Sequence, residues 1–124
     1  IGKINVTGVG EDVFLTGGIQ EGPSLFNINF DFTNGYYNAF IDGVQYGANT
    51  AYTAKLASSL SFKLFTNRGS ARHVQGECGE VIISEDCSEA CRQTIEGYAL
   101  HRFGTEANLP SGHPYKANAP TVEI

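Results

Sequence analysis

The chain has 124 residues, with 13 acidic and 8 basic side chains and a formal net charge of −5. That excess of acid argues against general nucleic-acid binding and against attraction to anionic membranes, and no apolar run approaches the roughly 20 residues of a spanning helix. With 15 Gly, 8 Phe, 6 Tyr, no Trp and 17% charged residues, the composition predicts an ordered, β-rich or mixed core and not a disordered chain.

The sequence opens Ile1-Gly2-Lys3 and contains no methionine. Its start therefore reads as the product of a cleaved signal peptide, which predicts a secreted, extracellular protein. Lys3 to Thr7 and Val13 to Thr16 are short strand candidates, and Asn5-Val6-Thr7 is a sequon that makes Asn5 a candidate glycosylation site. After the Gly17-Gly18 and Gly22-Pro23 breaks, Ser24 to Phe32 alternates Phe26, Ile28, Phe30 and Phe32 with Asn27, Asn29 and Asp31. A period of two is the mark of a half-buried strand. Asn34-Gly35 follows, and a two-residue type I′ turn there predicts that Thr33 pairs with Tyr36. Tyr37, Ala39 and Ile41 then share a face with Phe32, Phe30 and Ile28. Asp42-Gly43 predicts a second such turn, pairing Ile41 with Val44 and Ala39 with Tyr46. Residues 24 to about 48 are thus expected to form a three-stranded meander. Its other face presents Tyr36, Asn38 and Phe40, aromatics interleaved with an amide, as in surfaces that meet glycans or proteins.

From Gly43 to Gly76 there is no acid, whereas Lys55, Lys63, Arg68 and Arg72 fall there. Leu60, Phe62 and Leu64 suggest another half-buried strand. The run RGSARHVQGEC, residues 68–78, joins it to Glu80–Ser84, read as a short central strand. Arg68, Arg72 and His73 make this run the main cationic loop, suited to a carboxylate, sulfate or phosphate. The bland reading pairs the arginines with the acid-rich stretch Glu77 to Glu89.

A helix is predicted over about 85–103. Asp86 with Glu89 resembles a capping box, with Ser84 as the other candidate cap. Cys87, Cys91, Ile95, Tyr98 and Ala99 form the expected buried stripe, Gly97 points to a kink or close packing, and Gly104 ends the helix. Cys87 and Cys91, four apart on one helix, cannot bond each other. A Cys78–Cys91 disulfide is the preferred pairing, leaving Cys87 as a buried thiol. A Cys₃His metal site with His73 or His101 is the sharper alternative, but no C-x-x-C knuckle supports it, so neither metal nor cofactor is expected.

The residues from Thr105 onward hold three of the four prolines and read as an extended arm over 105–124, whose end can add an edge strand either to its own sheet or to that of a second copy. The expected fold is α+β: an antiparallel, curled or sandwich-like sheet with one C-terminal helix, forming one domain over 1–104. The expected function is that of a small secreted binding protein, of effector, toxin or inhibitor type, contacting a protein or glycan. Arg68, Arg72, His73, Tyr36 and Phe40 are its candidate contacts. One alternative is a secreted hydrolase or nuclease in which His73 works with Arg68 or Arg72 and a second histidine. His101, otherwise a helix C-terminal cation, or His113, otherwise an exposed tail residue, would be that histidine. Another alternative is an intracellular interaction module with reduced thiols.

Overall fold

The computed structural model describes residues 2–5, 12–15, 22–31, 33–51, 77–85 and 88–121, the first two segments as backbone only. The fold is α+β, with an open three-stranded antiparallel sheet and one C-terminal helix. The chain divides into two compact units, Ile1–Gly18 with Tyr52–Ser84 and Ile19–Ala51 with Glu85–Ile124. This division runs differently from a 1–104 domain followed by an arm, because the residues after Gly104 belong to the second unit.

In the first unit, β1 (Gly2–Asn5) and β2 (Asp12–Leu15) form an antiparallel pair from Gly2↔Leu15 to Asn5↔Asp12. Residues 77–84 also belong to it. Glu80 to Ser84 forms no strand, in contrast to the expected central one, and Ile83 is 80% exposed. A short apolar run has the composition of a strand, but composition names no partner for its backbone hydrogen bonds.

In the second unit, β3 (Phe26–Asp31), β4 (Tyr36–Ile41) and β5 (Val44–Ala51) form the meander in the order β3-β4-β5. The second turn follows expectation. Asp42 and Gly43 have φ of 49° and 82°, the positive pair of a type I′ turn, and Ile41 meets Val44 while Ala39 meets Tyr46. The first turn differs. Asp31 pairs with Tyr36 and Phe30 with Tyr37, so four residues, 32 to 35, join the strands. The Asp31 side chain explains the longer loop. Its Oδ1 accepts the N–H groups of Thr33 (3.1 Å) and Asn34 (2.9 Å), its Oδ2 accepts Asn34 Nδ2 (2.7 Å), and its carbonyl accepts Gly35 N–H (2.9 Å). These four bonds outweigh the Asn-Gly preference for two residues. A slip of two keeps every side chain on its expected face, so Ile28 and Phe30 still share one with Ala39 and Tyr37. Further along, three residues of β5, 47 to 49, lie opposite Asn38 alone, a bulge that Gly47 makes at φ 75°.

The helix, α1 (Glu89–Arg102), begins at Ser88, neither Ser84 nor Asp86. Ser88 is extended and its Oγ accepts the Cys91 N–H at 3.2 Å, the usual N-cap bond. At the other end Gly104 takes φ 67°, with Gly104 N–H bonded to the His101 carbonyl and Thr105 N–H to the Leu100 carbonyl. These are the two bonds of a Schellman cap. The buried residues of α1 are Arg92, Glu96, Gly97, Ala99 and Leu100. Of the expected stripe, Ala99 is buried, Cys91 and Ile95 are half-buried and Tyr98 is exposed.

Residues 105–121, expected to extend as an arm, instead fold back onto α1. A single 3₁₀ turn, η1 (Glu106–Asn108), leads to Leu109, which is 2% exposed. Lys116 Nζ closes the segment by donating to the carbonyls of Glu106 (3.2 Å), Ala107 (2.5 Å) and Leu109 (2.6 Å). All three ammonium hydrogens are thereby used, which stabilises a turn too short to stand alone. The Tyr115 ring lies on Gly97, where a Cβ would fall 2.5 Å from Tyr115 Cβ, so Gly97 serves close packing. Among the described residues the core comprises Tyr37, Ala39, Phe40, Ala99, Leu100 and Leu109.

Candidate functional site

Where α1, the sheet and the returning segment meet, three polar side chains are buried together. Glu96 is fully buried, and both its carboxylate oxygens lie 2.7 Å from Arg92 Nη1. The Arg92 guanidinium sits 3.9 Å from the centroid of the Phe40 ring and reaches Glu89 at the rim, 3.5 Å away. His113 Nε2 lies 3.2 Å from Glu96 Oε2, and His113 Nδ1 accepts the Tyr115 N–H at 3.2 Å. An imidazole nitrogen that accepts carries no proton, so His113 is the neutral tautomer that donates from Nε2 to Glu96. The cluster then holds one positive and one negative charge, a balance that burial demands.

This geometry decides what the cluster can do. A general base needs a ring nitrogen open to substrate, and both nitrogens of His113 are engaged within the fold. His101 is engaged through one nitrogen: its Nε2 lies 2.8 Å from the Tyr115 carbonyl and donates to it. The Tyr115 hydroxyl meets Thr94 Oγ1 at 3.3 Å, completing the attachment of the segment to α1. Residues 92, 96 and 113 thus join helix, sheet and tail. His113, expected as an exposed tail residue, is 8% exposed. A Pro-flanked histidine carries no local sign of the carboxylate 17 residues earlier that meets it. Arg92 and Glu96 do show helical i,i+4 spacing, but their charge marks them for the surface in any reading by hydropathy.

The second polar cluster is on the sheet, on the face of Tyr36, Asn38 and Phe40. Asn49, carried by the bulge of β5, accepts at its Oδ1 from Asn38 Nδ2 (3.3 Å) and Gln45 Nε2 (2.9 Å). Asn38 Oδ1 is buried and finds no partner among the described residues, a state that costs about 1–3 kcal/mol. Gln45 and Asn49 are exposed, and Tyr36 is half-buried two residues along the strand. Phe40, expected as a contact aromatic on this face, is 8% exposed because Arg92 covers it. At the hairpin tip the Asn34 side chain, ahead of its backbone N–H, holds the Asp31 carboxyl below its usual range, with smaller help from Tyr36 and Thr33 against a little desolvation.

Arg68, Arg72 and His73 lie outside the described residues, as do the side chains of Asn5 and Cys87. Cys78 is exposed and Cys91 half-buried, and the two belong to different units of the chain. No group of three His, Cys, Asp or Glu side chains among the described residues is placed to hold a metal ion, and no helix among them is long and apolar enough to cross a membrane. No family model matches the chain, and neither does any curated protein or solved structure.

Proposed function

We propose that the chain is a small secreted binding protein that acts by contact with a protein or glycan partner and catalyses no reaction of its own. The observation that supports this reading is the engagement within the fold of His113 and, through Nε2, of His101, the two candidates for the second histidine that would work with His73 in a hydrolase. His113 spends both ring nitrogens on Glu96 and Tyr115, and His101 spends Nε2 on the Tyr115 carbonyl. The amide cluster of Asn38, Gln45 and Asn49 beside Tyr36 supplies an uncharged surface of donors and acceptors, of the sort that hydroxyl groups and peptide backbones meet. The cationic run of Arg68, Arg72 and His73 is the second candidate contact, for an anionic group.

Two assays test this. Incubation with RNA, DNA and chromogenic esters is expected to show no turnover, and turnover abolished by His73→Ala would overturn the reading. On a glycan array the native chain is expected to retain a ligand that Asn49→Ala and Tyr36→Ala lose. The odd number of cysteines, Cys78, Cys87 and Cys91, favours a second reading, an interaction module of a reducing compartment. Thiol titration of the natively expressed, denatured chain before and after reduction separates the two: three thiols throughout support the second.

A further inference from the structure

Asn34-Gly35 is a pair with chemistry of its own. Glycine has no Cβ, so its backbone nitrogen can approach the side-chain carbonyl carbon of the preceding asparagine unhindered. Asn34 is exposed at the hairpin tip, yet three hydrogen bonds to Asp31 oppose that approach. Asn34 Nδ2 donates to Asp31 Oδ2 (2.7 Å), Asn34 N–H donates to Asp31 Oδ1 (2.9 Å), and Gly35 N–H donates to the Asp31 carbonyl (2.9 Å). The first ties the side-chain amide to Asp31, the second ties the Asn34 backbone to the same carboxylate, and the third occupies the attacking nitrogen.

We propose that Asn34 is a deamidation site whose rate Asp31 controls. In the step, the Gly35 nitrogen bonds to Asn34 Cγ, the bond from Cγ to Nδ2 breaks, and ammonia leaves with the proton that Gly35 gives up. The five-membered imide then adds one water at either carbonyl and opens to an aspartyl or an isoaspartyl linkage at position 34. Either product puts a second carboxylate beside Asp31, where like charges repel. The isoaspartyl product also lengthens the backbone of the loop that sets the β3–β4 register. The Asp31 carboxyl, held below its usual range chiefly by the Asn34 side chain, stays ionised throughout the neutral and alkaline conditions in which such cyclisation runs. Asp31 is therefore a guard as well as a turn residue.

The test is peptide mapping by mass spectrometry, with isoaspartate at position 34 as the readout, on the full chain held at mildly alkaline pH. Native chain, chain unfolded in urea, Asp31→Ala and Asp31→Asn are compared, with circular dichroism confirming which variants are folded. Asp31→Asn keeps the shape and the Oδ1 acceptor but puts a donor where Oδ2 receives Asn34. The unfolded chain and any folded Asp31 variant are expected to deamidate about tenfold faster or more, the effect of losing one charge-assisted hydrogen bond. A native rate equal to the unfolded one would overturn the proposal. So would a folded Asp31→Ala or Asp31→Asn chain that deamidates no faster than native.

Discussion

Glu96 is where single atoms matter most. Its carboxylate is fully buried between Arg92 and His113, and removing one partner of such a pair leaves the other charged in a medium that solvates it poorly. Glu96→Ala is therefore expected to destabilise the second unit by about 3–5 kcal/mol, read from urea denaturation. A double replacement of Arg92 and Glu96 by leucine is expected to cost far less, since the charge goes with its partner. Asp31 gives a residue-scale prediction in pH. Its folded pKa lies below the ordinary value of 3.8, so its contribution is complete above the unfolded pKa and is lost as pH falls through the folded one. Melting temperatures taken from about pH 5 down to about pH 2 are expected to fall less steeply in Asp31→Asn than in the native chain.

At the scale of elements, α1 shows why propensity and packing can oppose each other. Alanine in place of an interior helical glycine ordinarily gains about 1 kcal/mol. At Gly97 the new methyl group would fall 2.5 Å from Tyr115 Cβ and 2.7 Å from Cγ. Gly97→Ala is expected to be net destabilising by about 1–3 kcal/mol, the usual cost of overpacking, and to increase hydrogen exchange at the Tyr115 amide. The β3–β4 hairpin makes the same point with different chemistry. Asn34-Gly35 correctly marks a turn, and the alternation in β3 and β4 correctly assigns faces. The length of the loop, however, follows from Asp31, whose side chain reaches three residues forward. Helix boundaries behave alike: Gly104 is legible as the stop, whereas the choice among Ser84, Asp86 and Ser88 as the start depended on which oxygen reaches an N–H two or three residues on.

At the scale of the molecule, the segment after Gly104 is structural. Leu109 enters the core, His113 reaches Glu96, and Tyr115 lies on Gly97. Gly43 is close by: a Cβ added there would fall 3.2 Å from Pro110 and 3.3 Å from Leu109, and next to it Asn108 Nδ2 donates to Asp42 Oδ2 at 3.3 Å. The segment thus binds the β4–β5 turn as well as α1. Ending the chain at Gly104 is expected to cost more than losing one buried leucine, itself about 2–5 kcal/mol. A melting curve of the truncated chain that matches the native one would show instead that the segment is a separable arm.

The α+β class, the meander, the faces of β3 and β4, the Asp42-Gly43 turn and the C-terminal end of the helix are all legible in the sequence alone. Each of these follows from backbone geometry acting over a few residues: a period of two, a positive φ, a glycine cap. The burial of Arg92, Glu96 and His113, the guanidinium over Phe40 and the packing of a proline-rich tail into the core emerge only when the chain is folded. Those outcomes depend on a buried ion pair within α1 and on a neutral histidine that meets it from 17 residues along the chain, and hydropathy read one residue at a time assigns each of those polar side chains to water.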